Sequence, residues 1–230
     1  MNTMTIEFFH DVICSFCFPM SFKMRRIQRM MPEVSIVHRS YALTRDARDY
    51  DLMFGSREAA RAEILTHWAH ANKIDDLHRF NIEGMKRTSF PFPTSIKALL
   101  ACKAAFFAGG EAAYWDAFDA LQSALFVQSR DIGDERVIEE AIKETGLDLD
   151  RWRRFYKDEK TAEAMEKDIA LAEAYGIDSV PCLIVNGTHK ISGALPVGKL
   201  IDALQTLAGT ETESQEGGAC SLGGGKMECR

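Results

Sequence analysis

Two cysteines separated by two residues, Cys14 and Cys17, lie in the stretch FFHDVICSFCFPMSF, with Pro19 two positions further on. Such a pair can staple a fold, supply half of a four-thiolate zinc site, or act as a redox dithiol whose sulfurs meet across one helical turn. The choice depends on compartment and on whether a distant segment completes the site.

The start MNTMTIEFFHDV has no basic region and carries Glu7 and Asp11 within its apolar stretch, so no secretory signal is expected and a cytoplasmic location follows. The longest apolar region, IKALLACKAAFFAGG, is interrupted by Lys103 and falls short of the ~20 residues that span a bilayer. A reducing compartment disfavours a static disulfide and leaves the reactive and metal readings. For zinc the second pair would be Cys220 and Cys229, separated by residues 221–228 on a Gly-rich tail, a loose spacing for a structural site. With a formal net charge of −6 and pI near 5.6, the chain has no basic field for nucleic acid. Its 46% hydrophobic and 27% charged residues are those of a globular protein able to bury its own core.

The elements that must position the pair can be read from periodicity. TIEFF reads as a buried strand running into His10 and Asp11, followed by a helix from Cys14 whose apolar residues recur at Phe18, Phe22, Ile27 and Met30. VSIVHRSYAL reads as a second strand. Residues 56–175 give six helix candidates and no strand, with Gly110, Gly146 and Gly176 near helix ends. PCLIVNGTHKISG is a hairpin about Asn186-Gly187, and LPVGKLIDALQTLAG a closing helix. The order is β-α-β, a helical block, then β-β-α. The last residues are polar and Gly-rich and read as a flexible tail.

A helix start carries partial positive charge that favours a thiolate, which makes Cys14 the nucleophile and the deeper Cys17 the resolving thiol. The second motif is GIDSVPCLIVNG, where Pro181 directly precedes an apolar strand, a place that proline fits only at the strand start. With EFFHDVICSFC, FPFPTSIKALLACKAAFFAGG and YGIDSVPCLIVNGTHKISGALP, the chain resembles the DsbA family of thioredoxin-fold thiol-disulfide oxidoreductases, in its cytosolic FrnE-like branch, over residues 4 to 208. The resemblance implies an α/β thioredoxin-like fold with a large all-helical insertion between the β-α-β and β-β-α halves. It divides the chain into residues 1–55 with 176–208 as the thioredoxin-like domain, 56–175 as the insertion, and 209–230 as the Cys-containing tail. It implies a cis Pro181 facing the cysteines and a Val180 backbone that pairs with substrate. Where most relatives have proline after the first cysteine, Ser15-Phe16 stands here, so the redox poise does not carry over.

Other residues are supporting candidates. Glu7 resembles the buried acid beneath the disulfide in DsbA, and with His10 and Asp11 forms a set for proton relay or electrostatic tuning. Phe16, Phe18, Phe90 and Phe92 could border a substrate groove. His67 and His70 lack companions and read as surface or core residues, while Cys102 and Cys182 read as small buried hydrophobes. Cys220 and Cys229 are a candidate second redox pair. The expected activity is protein dithiol-disulfide oxidoreduction on thiol- or disulfide-containing proteins or small molecules. A thiol reductant such as thioredoxin or glutathione would reset it, with no metal or organic cofactor. Two alternatives remain: a glutathione-dependent isomerase or transferase of the kappa or 2-hydroxychromene-2-carboxylate isomerase type, and a zinc- or redox-sensing protein using the tail cysteines. The first of these relatives usually has serine where Cys14 stands.

Overall fold

The computed structural model describes residues 4–215, 220–223 and 226–229, with side chains through Gly209. The chain divides into two compact units, Met1–Ala194 and Leu195–Arg230.

In the first unit a four-stranded mixed sheet has the order β2-β1-β3-β4. Strand β1 (Met4–His10) is central, parallel to β2 (Val34–Ser40) and antiparallel to β3 (Cys182–Val185), which pairs with the edge strand β4 (His189–Ser192). The register sets Phe8 opposite His38 and Leu183, and Phe9 opposite Arg39 and Cys182. Strand β1 alternates over its first half, with Met4 and Ile6 buried and Thr5 and Glu7 half-buried, and from Phe8 both faces are covered. The hairpin turn has Asn186 and Gly187 at φ 50° and 72°, the left-handed pair expected of Asn-Gly, and Thr188 N donates to Val185 O at 3.1 Å.

Helix α1 (Cys17–Met30) crosses between β1 and β2. The block between β2 and β3 holds α2 (Ala47–Phe54), α3 (Arg57–Ile74), α4 (Ile82–Arg87), α5 (Ser95–Gln122), α6 (Glu135–Glu144), α7 (Leu149–Tyr156) and α8 (Glu159–Ala174). The sequence reading did not include the two short members α2 and α4, of eight and six residues.

Helix α5 is interrupted at Gly110, whose φ of 79° and ψ of −166° are not helical. As a straight rod its 28 residues would span roughly 42 Å at 1.5 Å per residue. Yet Ser95 at one end donates to Asp11, and Gln122 at the other donates to the carbonyl of Val12. The element is therefore a helical hairpin folded at Gly110, and both ends return to the segment leading to Cys14. The sequence reading of two helices meeting near Gly110 matches this geometry.

An ionic cluster fastens this block to the sheet. Asp168 of α8 pairs with Lys103 of α5 and, at 3.2 Å, with Arg39 of β2, and accepts from Ser40 N at 2.9 Å. Arg39 in turn pairs with Glu7 at 2.6 Å.

The second unit contains α9 (Val197–Gln215) and a hairpin of β5 (Cys220–Gly223) and β6 (Lys226–Cys229). The hairpin register places Cys220 opposite Cys229. The side chains of both lie outside the described residues, so the second-redox-pair expectation meets no geometry here. Among the described residues no helix is long and apolar enough to cross a membrane.

Candidate active site

The cysteines sit where β1 ends and α1 begins. Helix α1 starts at Cys17, a turn later than the sequence suggested, and Cys14 occupies the preceding turn. Cys14 N donates to Asp11 O at 3.2 Å and Cys17 N to Cys14 O at 3.1 Å, so two successive turns fix the spacing of the thiols. Both cysteines are free, with Cys14 5% and Cys17 0% exposed. Burial first, then the hydrogen bond and charge of Cys14, push the Cys17 thiol well above its ordinary range.

The Val180–Pro181 peptide is cis, as the resemblance implied. Cys14 Sγ lies 3.5 Å from Val180 O, which joins two segments 166 residues apart. Pro181 is buried, and its carbonyl accepts from Gly193 N at 2.8 Å, which anchors the loop to the hairpin.

Asp11 is fully buried beneath the loop. Its carboxylate accepts from Ile13 N at 3.2 Å, Leu43 N at 2.8 Å and Ser95 Oγ at 2.6 Å. Burial pushes this carboxyl up to about 6, against the opposing pull of those bonds. Glu7 is placed differently: its oxygens are held by Arg39 and, at 3.0 Å, by the Tyr175 hydroxyl. His10 is fully buried, with Nε2 3.0 Å from His38 Nδ1 and its ring 4.0 Å from that of Phe118. Burial, then the charges of His38 and Lys103, hold His10 well below the ordinary imidazole range. Burial, then Arg25 and Lys103, takes His38 down to about 3. Both rings are thus neutral at pH 7, and the His10–His38 pair has no counterpart in the sequence reading because its members lie on different strands.

Beside Cys14 opens a cavity of about 260 Å³. The cysteine loop and Val180 bound it together with Leu43, Thr44 and Phe92 and with residues of α2 and α3. Of the four aromatics considered from sequence, Phe16 and Phe92 line it. Phe18 packs instead on Phe80 and Phe126 in the core. His67, read as a bystander, lines the cavity one helical turn from Ile64. Nothing in its spacing could show this, because the phase of α3 relative to the cysteine loop is set by tertiary packing. Met53 and Leu52 on α2 are exposed nearby in sequence, at 52% and 84%.

Cys182 is buried in an apolar cluster with Phe9, Ala172, Ile177 and Ile184, and Cys102 is buried on α5. Among the described residues no group of three or more His, Cys, Asp or Glu is placed to hold a metal ion.

A family model described as a DSBA-like thioredoxin domain matches residues 5–205. The ClpXP adapter protein SpxH of Shouchella clausii is 25% identical over 142 residues, 56% of this chain and 47% of the relative, so the match spans about half of that protein's length. Among solved structures, a candidate protein disulfide isomerase from Nitrosomonas europaea superposes with a TM-score of 0.75 at 17% identity, over 90% of this chain and 98% of that one. The cytosolic disulfide reductase DsbM of Pseudomonas aeruginosa superposes with a TM-score of 0.67 at 16% identity, over 91% and 98%. At these identities the two superpositions bear on the fold.

Proposed function

Because the chain belongs to the DSBA-like thioredoxin domain family, we propose that it is a dithiol-disulfide oxidoreductase working through Cys14 and Cys17. The observation that carries this reading is the Cys14 sulfur 3.5 Å from Val180 O, at the cis-Pro181 loop, with a second thiol buried behind it.

The Cys14 thiolate attacks a substrate disulfide, forming a mixed disulfide and releasing one substrate sulfur as a thiol after it takes a proton. Cys17 then attacks Cys14 and releases the second, so the substrate gains two electrons and the pair is left as a disulfide. Two of the influences that raise Cys17 come from Cys14 itself. They end once Cys14 is bound in the mixed disulfide, so Cys17 ionises more readily at the stage when it must attack. Substrates are thiol- or disulfide-containing proteins or small molecules, which the Val180 backbone can pair with as an extended strand. A thiol reductant such as thioredoxin or glutathione resets the pair, and the working compartment is the reducing cytosol.

Insulin reduction with a dithiol donor tests this. Cys14→Ser should abolish turnover, while Cys17→Ser should trap mixed disulfides on Cys14, visible by mass spectrometry. Full turnover by Cys14→Ser would overturn the assignment.

A further inference from the structure

We propose that His67 is a further catalytic residue of the exchange reaction, the group that protonates the sulfur leaving the substrate. The proposal rests on the dithiol reading given above and deepens it.

When Cys14 attacks, a bond forms between its Sγ and the near substrate sulfur. The old S–S bond breaks in line with it, and its electron pair departs on the far sulfur. In-line geometry directs that sulfur away from Cys14. The cavity adjoining Cys14 is lined from α2 and α3 by Tyr50, Met53, Phe54, Ile64 and His67, so a sulfur departing into it enters a space that His67 borders. This lining is mostly carbon and includes no Lys, Arg, Asp or Glu. The lining therefore offers no fixed cation to hold an alkanethiolate, and a proton delivered to the sulfur removes the need for one.

Few lining groups can supply one. The Tyr50 hydroxyl donates to Pro93 O at 2.6 Å, and burial pushes it up to about 12. The Thr44 hydroxyl is buried 3.4 Å from Ser95 Oγ. Aliphatic hydroxyls such as those of Thr44 and Ser15 do not release protons near neutrality, whereas imidazole is the side chain that exchanges them there. His67 is also exposed to solvent, so water can restore its proton between turnovers. His10, buried and paired with His38, has no such route. In the reverse direction the same imidazole accepts the proton of the incoming thiol, so the step balances both ways.

The test is a series of mixed disulfides with one common half, retained on Cys14, and leaving thiols of graded acidity, from thionitrobenzoate to 2-mercaptoethanol. Single-turnover rates are measured for the wild type, His67→Ala and His67→Gln. His67→Ala should lose about 100-fold with the alkanethiol, within the usual range for general acids. It should lose only a few-fold with thionitrobenzoate, which departs readily as an anion and reports that the variant is folded. His67→Gln, which can donate a hydrogen bond but not release a proton, should do no better than alanine. Equal losses along the series, no loss, or rescue by glutamine would overturn the role of His67 while leaving the dithiol reading in place. Failure of the wild type to exchange with any of the series would remove the dithiol reading, and this proposal with it.

Discussion

The segment around Cys14 and the cluster around Asp168 both hold polar groups out of water, yet they are built on opposite terms. Asp168 meets Lys103, Arg39 and the Ser40 amide, so its charge is answered from α5 and from β2. At the thiol end, Cys17 is buried and, after burial, most influenced by Cys14, and Asp11 is so deeply buried that three hydrogen bonds do not return it to the ordinary carboxylate range. Complete pairing makes a joint, and incomplete pairing leaves groups whose protonation can change. The contrast teaches that neither burial nor the number of hydrogen bonds separates these two carboxyls; the supply of opposite charge does.

The largest effect is expected at the joint. Asp168→Ala strands the buried Lys103 ammonium and should cost about 3–5 kcal/mol of stability, read from urea unfolding at pH 7. A loss below about 1 kcal/mol would show that the cluster is not holding the helices to the sheet.

A smaller effect with a definite sign is expected at Asp11. Its folded carboxyl binds a proton more tightly than the unfolded one, so stability falls as pH rises from the ordinary 3.8 to about 6. Asp11→Asn cannot titrate, and its stability relative to wild type should improve across that window by up to roughly 3 kcal/mol. The check is paired urea unfolding at pH 4 and pH 6.5, and a flat difference between the two would refute it. Smallest is Ser95→Ala, which removes the hydrogen bond to the Asp11 carboxyl and the one that Ser95 Oγ accepts from Thr44 N, and should cost about 2 kcal/mol at pH 7. Thermal unfolding would measure it.

Much of this was legible from sequence because it depends on local chemistry. The strand-to-helix entry at the cysteines, Pro181 ahead of its strand, and the Asn186-Gly187 turn each leave a mark within a few residues. The start of α1 was displaced by one turn because the chain already turns at Asp11 and Cys14 before regular helix begins. Other features depend on segments meeting in space. The resemblance expected Glu7 to be a buried acid under the thiols, but Arg39, from the neighbouring parallel strand, and the Tyr175 hydroxyl engage it. His67 lines the cavity because α3 presents that face, and His10 meets His38 because β1 and β2 are in a particular register. None of these can be read from one segment alone.

The fold at Gly110 has a consequence for motion. Because the two arms of the α5 hairpin grip adjacent residues of the cysteine segment, through Ser95 on Asp11 and Gln122 on Val12, that segment cannot loosen without disturbing an arm. Segment and hairpin should therefore open together as one cooperative unit in hydrogen exchange, with matched protection at Ile13, Cys14 and the hairpin amides. The compliance of the cysteine turn is then governed from an apex at the far end of the hairpin, where the φ of 79° suits glycine and a side chain would strain the bend.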